Sequence, residues 1–140
     1  MYKVILASNS KVRKKILEKN GFECKVFPSN VDEEPVKKSL IKNNINSEII
    51  SKNLAELKAN KISLKFNSEI VIGADSVIDI NGELVSKPKT REEALKILKK
   101  LNGKTHHLIS SVCISKNGSM IWNYTDKATL TMKLYLVLTA

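Results

Sequence analysis

Cysteine is scarce in this chain: Cys24 and Cys113 stand far apart among 140 residues, with no C-x-x-C spacing. That argues against a disulfide framework and a zinc site and marks both residues as core thiols. Aromatic residues reach only 5%. With no stacking motif and no zinc-finger spacing, the chain lacks the usual equipment of a domain that reads nucleic acid. Long apolar runs are missing as well. Nothing approaches the roughly 20 consecutive apolar residues that span a bilayer, and the N-terminus lacks the basic, apolar and small-residue series of a signal peptide. The expectation is a cytoplasmic protein without a membrane partner.

Negative charge is also in short supply. The 14 Asp and Glu residues face 24 Lys and Arg, giving a net charge of +10 and a pI near 9.6. An excess of that size suits an anionic partner, nucleic acid included. The lysines, however, are strewn along every predicted helix instead of gathering in one stripe, which weighs against nucleic acid and leaves much of the excess as solvated surface. What survives is narrower: a concave site here would hold an anion comfortably. The remaining composition, 42% hydrophobic and 27% charged, is that of a soluble folded chain, and this length supports one domain with one core.

Helical and strand patterns alternate along the chain, the signature of an α/β architecture. Val4-Ile5-Leu6 reads as a short buried strand, followed by the turn Ser8-Asn9-Ser10, whose last serine can cap a helix from Lys11 to Asn20. Gly21 supplies the left-handed stop. Phe22, Cys24 and Val26 alternate as a half-buried strand, and Pro28 to Pro35 reads as a polar loop carrying Asp32, Glu33 and Glu34. From Ser47 to Leu64 the residues Ile50, Leu54, Leu57, Ala55, Ala59 and Ile62 keep helical spacing, with Lys58 at the edge of the apolar face. Ile70 to Asp75 and Val77 to Ile80 read as strand, Asn81-Gly82 as a type I′ turn, and Glu83 to Val85 as the returning strand. Thr90-Arg91-Glu92-Glu93 is a capping box for a helix that turns Ala94, Leu95, Leu98 and Leu101 inward before Gly103. Leu108 to Ser115 and Ser119 to Tyr124 flank a second Asn-Gly hairpin. Ala128 to Leu138 alternates as a last strand, expected to be left unpaired or uncovered.

Within this pattern Asp75 stands out. It ends an apolar strand, and the hairpin that follows delivers Lys87-Pro88, so a carboxylate is expected to face a lysine in an arrangement suited to chemistry on an anion. His106 and His107 are adjacent on a predicted strand, point to opposite faces, and read as structural.

Six local signals then fall in one order. Leu6-Ala7-Ser8-Asn9-Ser10-Lys11-Val12-Arg13 and the residues to Leu17 resemble the opening signature of the Maf family of nucleoside triphosphate pyrophosphatases, and Val31-Asp32-Glu33 is similar to its acidic loop. Leu54 to Ala59, Gly73-Ala74-Asp75-Ser76, Ser86-Lys87-Pro88 and Leu101 to His106 resemble its later motifs. Each piece alone is weak, and together they are specific. The resemblance covers residues 1–133 and implies a single domain of the Maf type, a mixed twisted sheet with flanking helices around a cleft between two lobes.

It also implies hydrolysis of a nucleoside triphosphate to the monophosphate and pyrophosphate with a divalent cation, Mg²⁺ or Mn²⁺, a homodimer as one assembly, and a link to septum formation. On the resemblance, Asp75 is the general base, Glu33 and Asp75 hold the metal, and Ser8, Ser10, Arg13, Lys58, Ser76 and Lys87 bind substrate. Physical sense supports several of these. A strand-to-helix turn presents free amides to phosphate, Arg13 offers a fork of donors, and lysines oppose charge on a leaving pyrophosphate. On the residues alone, a plain helix cap is the better reading of Ser10 and a solvated loop that of Asp32-Glu33-Glu34, and the motif order tips both. Val12 and Ser76 depart from the thymidine/uridine-selective pattern, which leaves the base open. The family normally runs about fifty residues further, and residues 134–140 match nothing expected there. A truncation or shifted frame after Lys133 is therefore expected, with an incomplete second lobe, exposed apolar surface and weak or absent activity. The alternative readings are a catalytically impaired remnant that binds nucleotide or nucleic acid, and a small RNA-binding protein.

Overall fold

The computed structural model describes residues 2–135. Strands β1 (Tyr2–Leu6), β2 (Phe22–Val26), β3 (Val71–Ile80), β4 (Glu83–Val85), β5 (Thr105–Lys116) and β6 (Ser119–Thr131) form one mixed sheet in the order β2-β1-β3-β5-β6, with β4 paired to β3. β1 is parallel to both neighbours, and the remaining pairs are antiparallel. Helices α1 (Lys11–Lys19), α2 (Glu33–Lys42), α3 (Ser47–Ser63) and α4 (Arg91–Leu101) flank it. The mixed α/β class read from the alternation is what the chain adopts.

Local chemistry explains most boundaries. Ser10 Oγ accepts from Arg13 N and opens α1, and Gly21 at φ +88° closes it. Asn81-Gly82 and Asn117-Gly118 all have positive φ, as type I′ turns require. Thr90 Oγ1 accepts from Glu93 N, while Glu93 Oε2 reaches back to Lys89 N, one residue before the position a standard capping box uses.

The core helix is α3, with Ile50, Leu54, Ala55, Ala59 and Ile62 buried against the sheet. It lies very close to β3. A Cβ on Gly73 would come within 2.5 Å of the Ala55 carbonyl oxygen and 2.7 Å of Ala59 N, so only glycine fits there. Ile5, Ala7, Ile62 and Val71 share this face, while Val4, Leu6 and Ile72 pack on the other with Leu17 of α1. By strand alternation Asp75 therefore faces α3, and Ser76 the opposite side.

Four expectations need correction. The polar loop ends at Asp32, and Glu33 opens α2: two acidic residues and Pro35 in a first turn are favourable there, because the amides at that end are unpaired and the macrodipole is positive. Leu57 is exposed although its spacing fits the apolar stripe, and Lys58 is buried. In α4 only Leu101 is buried, while Leu95 and Leu98 are exposed. The last two predicted strands are a single strand, β6, bonded to β5 as far as Thr131. Leu136 and Leu138, which the alternation also assigned to strand, lie outside the described residues. Asn102 ties the chain back at Tyr135, accepting from its N at 2.8 Å and donating to its carbonyl at 2.9 Å.

Candidate active site

β1 ends at Leu6, and the chain turns through Ser8-Asn9-Ser10 into α1 at the C-terminal end of that interior strand. Ser8 Oγ is the hub of this turn: it accepts from Ser10 N at 3.1 Å and from Arg13 Nη1 at 3.2 Å. Arg13 is thereby aimed across the turn. The first turn of α1 contributes unpaired amides and the positive end of its dipole, a combination that attracts phosphate.

These residues line a cavity of about 540 Å³ together with the loop at Pro28 to Val31, Glu33 at the start of α2, Lys58 of α3, and Lys87 beyond β4. Five separate segments meet there. Ser8, Ser10, Arg13, Glu33, Lys58 and Lys87, all identified from sequence, are on its wall. Asp75 joins from behind through Lys58, whose Nζ lies 3.0 Å from Asp75 Oδ1 and 2.5 Å from Glu33 Oε1. The lysine facing Asp75 is thus Lys58 and not Lys87. Burial of a lysine this deep requires such pairing, and two carboxylates supply it.

Ser76 is not brought to the cavity wall. It lies on the opposite face of β3, with its hydroxyl 2.9 Å from that of Ser110. His106 and His107 also stay away from the cavity; His106 is buried, and His107 Nδ1 lies 3.2 Å from Thr129 Oγ1. Cys113 is buried and its thiol pushed up to about 11 by burial, consistent with a core thiol. Lys37 is the residue the sequence reading missed. It is buried, and its Nζ is 3.7 Å from Glu33 Oε2 at the i,i+4 spacing of α2. That spacing becomes a signal once α2 is recognised as a helix.

The two carboxylates titrate in opposite directions. Burial pushes Asp75 above the usual carboxylate range, and Lys58 only partly offsets it. Burial also raises Glu33, but Lys58, Lys37 and Lys87 together outweigh that and hold it below the usual range. Asp75 Oδ2 is buried and has no hydrogen-bond partner among the described residues. An orphaned, proton-avid carboxylate oxygen beside a cationic pocket is the pattern of a general base.

The same atoms bear on a metal. Among the described residues no group of three or more His, Cys, Asp and Glu gathers, so no all-protein cage exists. Glu33 and Asp75 nevertheless fit a hard cation of the Mg²⁺ kind, which is commonly held by one or two carboxylates with phosphate and water completing the shell.

Comparison with known proteins gives the chain's relatives. A family model described as "Maf-like protein" matches residues 3–135. A nucleoside triphosphate pyrophosphatase of Pelagibacter ubique (strain HTCC1062) is 71% identical over 130 residues, 93% of this chain and 67% of that protein. A dTTP/UTP pyrophosphatase of Pyrococcus furiosus is 39% identical over 121 residues, 86% of this chain and 60% of that protein. The chain spans about two thirds of the length of the curated relatives it matches. The Ham1 protein of Staphylococcus aureus superposes with a TM-score of 0.55 at 18% identity, over 92% of this chain and 70% of that one, a likeness of fold.

Proposed function

The chain belongs to the family of Maf-like proteins, and from that premise we propose that it is a nucleoside triphosphate pyrophosphatase. The reaction cleaves between the α and β phosphates, yielding a nucleoside monophosphate and pyrophosphate. One observation carries the reading: Arg13, Lys58 and Lys87 converge with Glu33 on a single cavity at a helix N-terminus, and Asp75 stands behind Lys58 at 3.0 Å. That donor set matches a polyphosphate and leaves an acceptor, Asp75 Oδ2, for the proton of an attacking water.

In this reading Arg13 and the first amides of α1 orient phosphate oxygens, and their fixed positions lower the entropic part of the barrier. Asp75 takes the proton from water as oxygen adds to the α phosphorus. Lys58 and Lys87 meet the negative charge that grows on the departing pyrophosphate, an electrostatic contribution large in a partly dry site. Lys58 already holds Glu33 and Asp75 apart from each other's charge, so an incoming phosphate shares a cation that is pre-positioned. A divalent cation, Mg²⁺ or Mn²⁺, bound through Glu33 and Asp75 would supply Lewis-acid neutralisation of the phosphates. Base preference stays open, since Val12 and Ser76, where the resemblance places selection, are both absent from the cavity wall.

Pyrophosphate release over a panel of triphosphates, with Mg²⁺ or Mn²⁺, tests the proposal. Release is expected for at least one base, and Asp75→Asn should lower turnover by roughly 10²–10⁴ while triphosphate binding persists. Undiminished turnover in Asp75→Asn would remove the base assignment. Saturable binding with no release by the wild-type chain would favour the non-catalytic reading.

A further inference from the structure

A second hollow adjoins the reaction cavity and is not used by the mechanism above. It is a groove of about 520 Å³ between α2, β4 and α4, and Lys87 lies on the wall of both. Five lysines line it, against only Glu34 and Glu93. Glu93 is engaged with Lys89 N, and Lys100 with Glu83 at 3.2 Å. Among the described residues Lys38, Lys87, Lys89 and Lys96 have no carboxylate at ion-pair distance. Half-buried Leu84, Val85 and Ile97 give the same groove an apolar floor.

Positive charge therefore continues past the cavity that holds a triphosphate. In a nucleotide polyphosphate the end remote from the nucleoside carries the most charge, so that end is drawn toward Lys87 and the lysines beyond it. The groove then lies where groups attached to the terminal phosphate would go. Its cations suit further phosphates, and its apolar floor suits the flat body of a second base, the mixed lining typical of small-molecule sites. A cavity built for a triphosphate alone has no use for either.

Resting on the pyrophosphatase reading, we infer that this chain also takes dinucleoside polyphosphates, with the first nucleotide in the reaction cavity and the second in the lysine groove. For a dinucleoside tetraphosphate the step balances as follows. Water adds to the phosphorus next to the first nucleoside, and the bond from that phosphorus to its bridging oxygen breaks. The leaving nucleoside triphosphate keeps the electron pair, Asp75 receives the proton, and the products are a nucleoside monophosphate and a nucleoside triphosphate.

The test compares dinucleoside tetraphosphates of the common bases with the matching triphosphates, by calorimetric binding and by product chromatography. It uses the full chain and a Lys89→Glu/Lys96→Glu variant, whose changed residues are exposed. Binding of the dinucleoside tetraphosphate should weaken about tenfold or more in the variant, binding and turnover of the triphosphate should stay within about twofold, and Lys89→Arg/Lys96→Arg should restore the wild-type pattern. The inference falls if both ligands lose affinity equally, or if the dinucleoside compound binds the variant as well as the wild type. Wild-type turnover of triphosphate with no binding of the dinucleoside compound also overturns it, and leaves the pyrophosphatase reading intact. If no triphosphate is turned over at all, that reading fails separately, and the binding comparison alone still decides whether the groove accepts the second nucleotide.

Discussion

Asp75 and Glu33 illustrate how two carboxylates sharing one lysine acquire different jobs. For Asp75 the folded state holds its proton more tightly than the unfolded chain does, because burial outweighs Lys58. The ionised group therefore destabilises the fold above its raised pKa, and that penalty disappears as pH falls through it. Glu33 has the opposite sign: its contribution is present above the unfolded carboxylate range and is lost as pH falls through its lowered value. Melting curves in a chelating buffer should show Asp75→Asn at least as stable as wild type near neutrality, with the gap narrowing toward acid. A marked loss of stability at neutral pH would contradict the burial argument. Turnover should show an acidic limb displaced upward from the ordinary carboxylate range. Lys58→Ala should behave very differently. It strands buried Asp75 beside Glu33 with no cation between them, and a loss of about 3–5 kcal/mol in urea denaturation is expected. An unaltered midpoint would show that Lys58 is not the bridge.

At the scale of elements, the contact between α3 and β3 sets the site. Gly73 brings the helix close enough for Lys58 to reach Asp75, and added bulk would meet the backbone of Ala55 and Ala59 and the Ala59 Cβ. Gly73→Ala should cost about 1–3 kcal/mol and reduce turnover together with stability. A neutral effect would mean the helix shifts freely. Much of this was legible in sequence. The Asn-Gly turns, the Ser10 cap, Gly21 and the α3 periodicity are local signals whose causes lie within a few residues, and six of the residues named from the motif order line one cavity. What was not legible depended on tertiary partners or on an unrecognised helix start. Pro35 was read as the end of a polar loop, although it stands in the first turn of α2 where no intrahelical N–H is lost. With α2 unread, Glu33 appeared to be on a loop and Lys37 went unnoticed. Lys58 was placed by helical phase at a boundary, but two distant carboxylates draw it under. Leu95 and Leu98 follow an apolar stripe that stays exposed at those positions among the described residues.

At the scale of the whole molecule, a strong positive charge stands beside a sheet that ends at β6 among the described residues. β6 has β5 on one side and no strand on the other among the described residues. Its Ile121, Trp122 and Tyr124 are more than half exposed, with the Trp122 and Tyr124 rings stacked at 6.3 Å. Trp122 is the chain's single tryptophan, so its fluorescence should be red-shifted and readily quenched by acrylamide; a blue, protected signal would show that something covers this face. The net charge of +10 should make triphosphate binding weaken steadily with salt, since screening sets in over about 10 Å at 0.1 M. The position of bond cleavage can be read from hydrolysis in heavy-oxygen water. If Ser8, Arg13, Glu33, Lys58, Lys87 and Asp75 form one polyphosphate site with Asp75 as base, the label enters the nucleoside monophosphate, and Asp75→Asn abolishes its appearance. Label found in pyrophosphate or inorganic phosphate, or incorporation undiminished in Asp75→Asn, would contradict that arrangement.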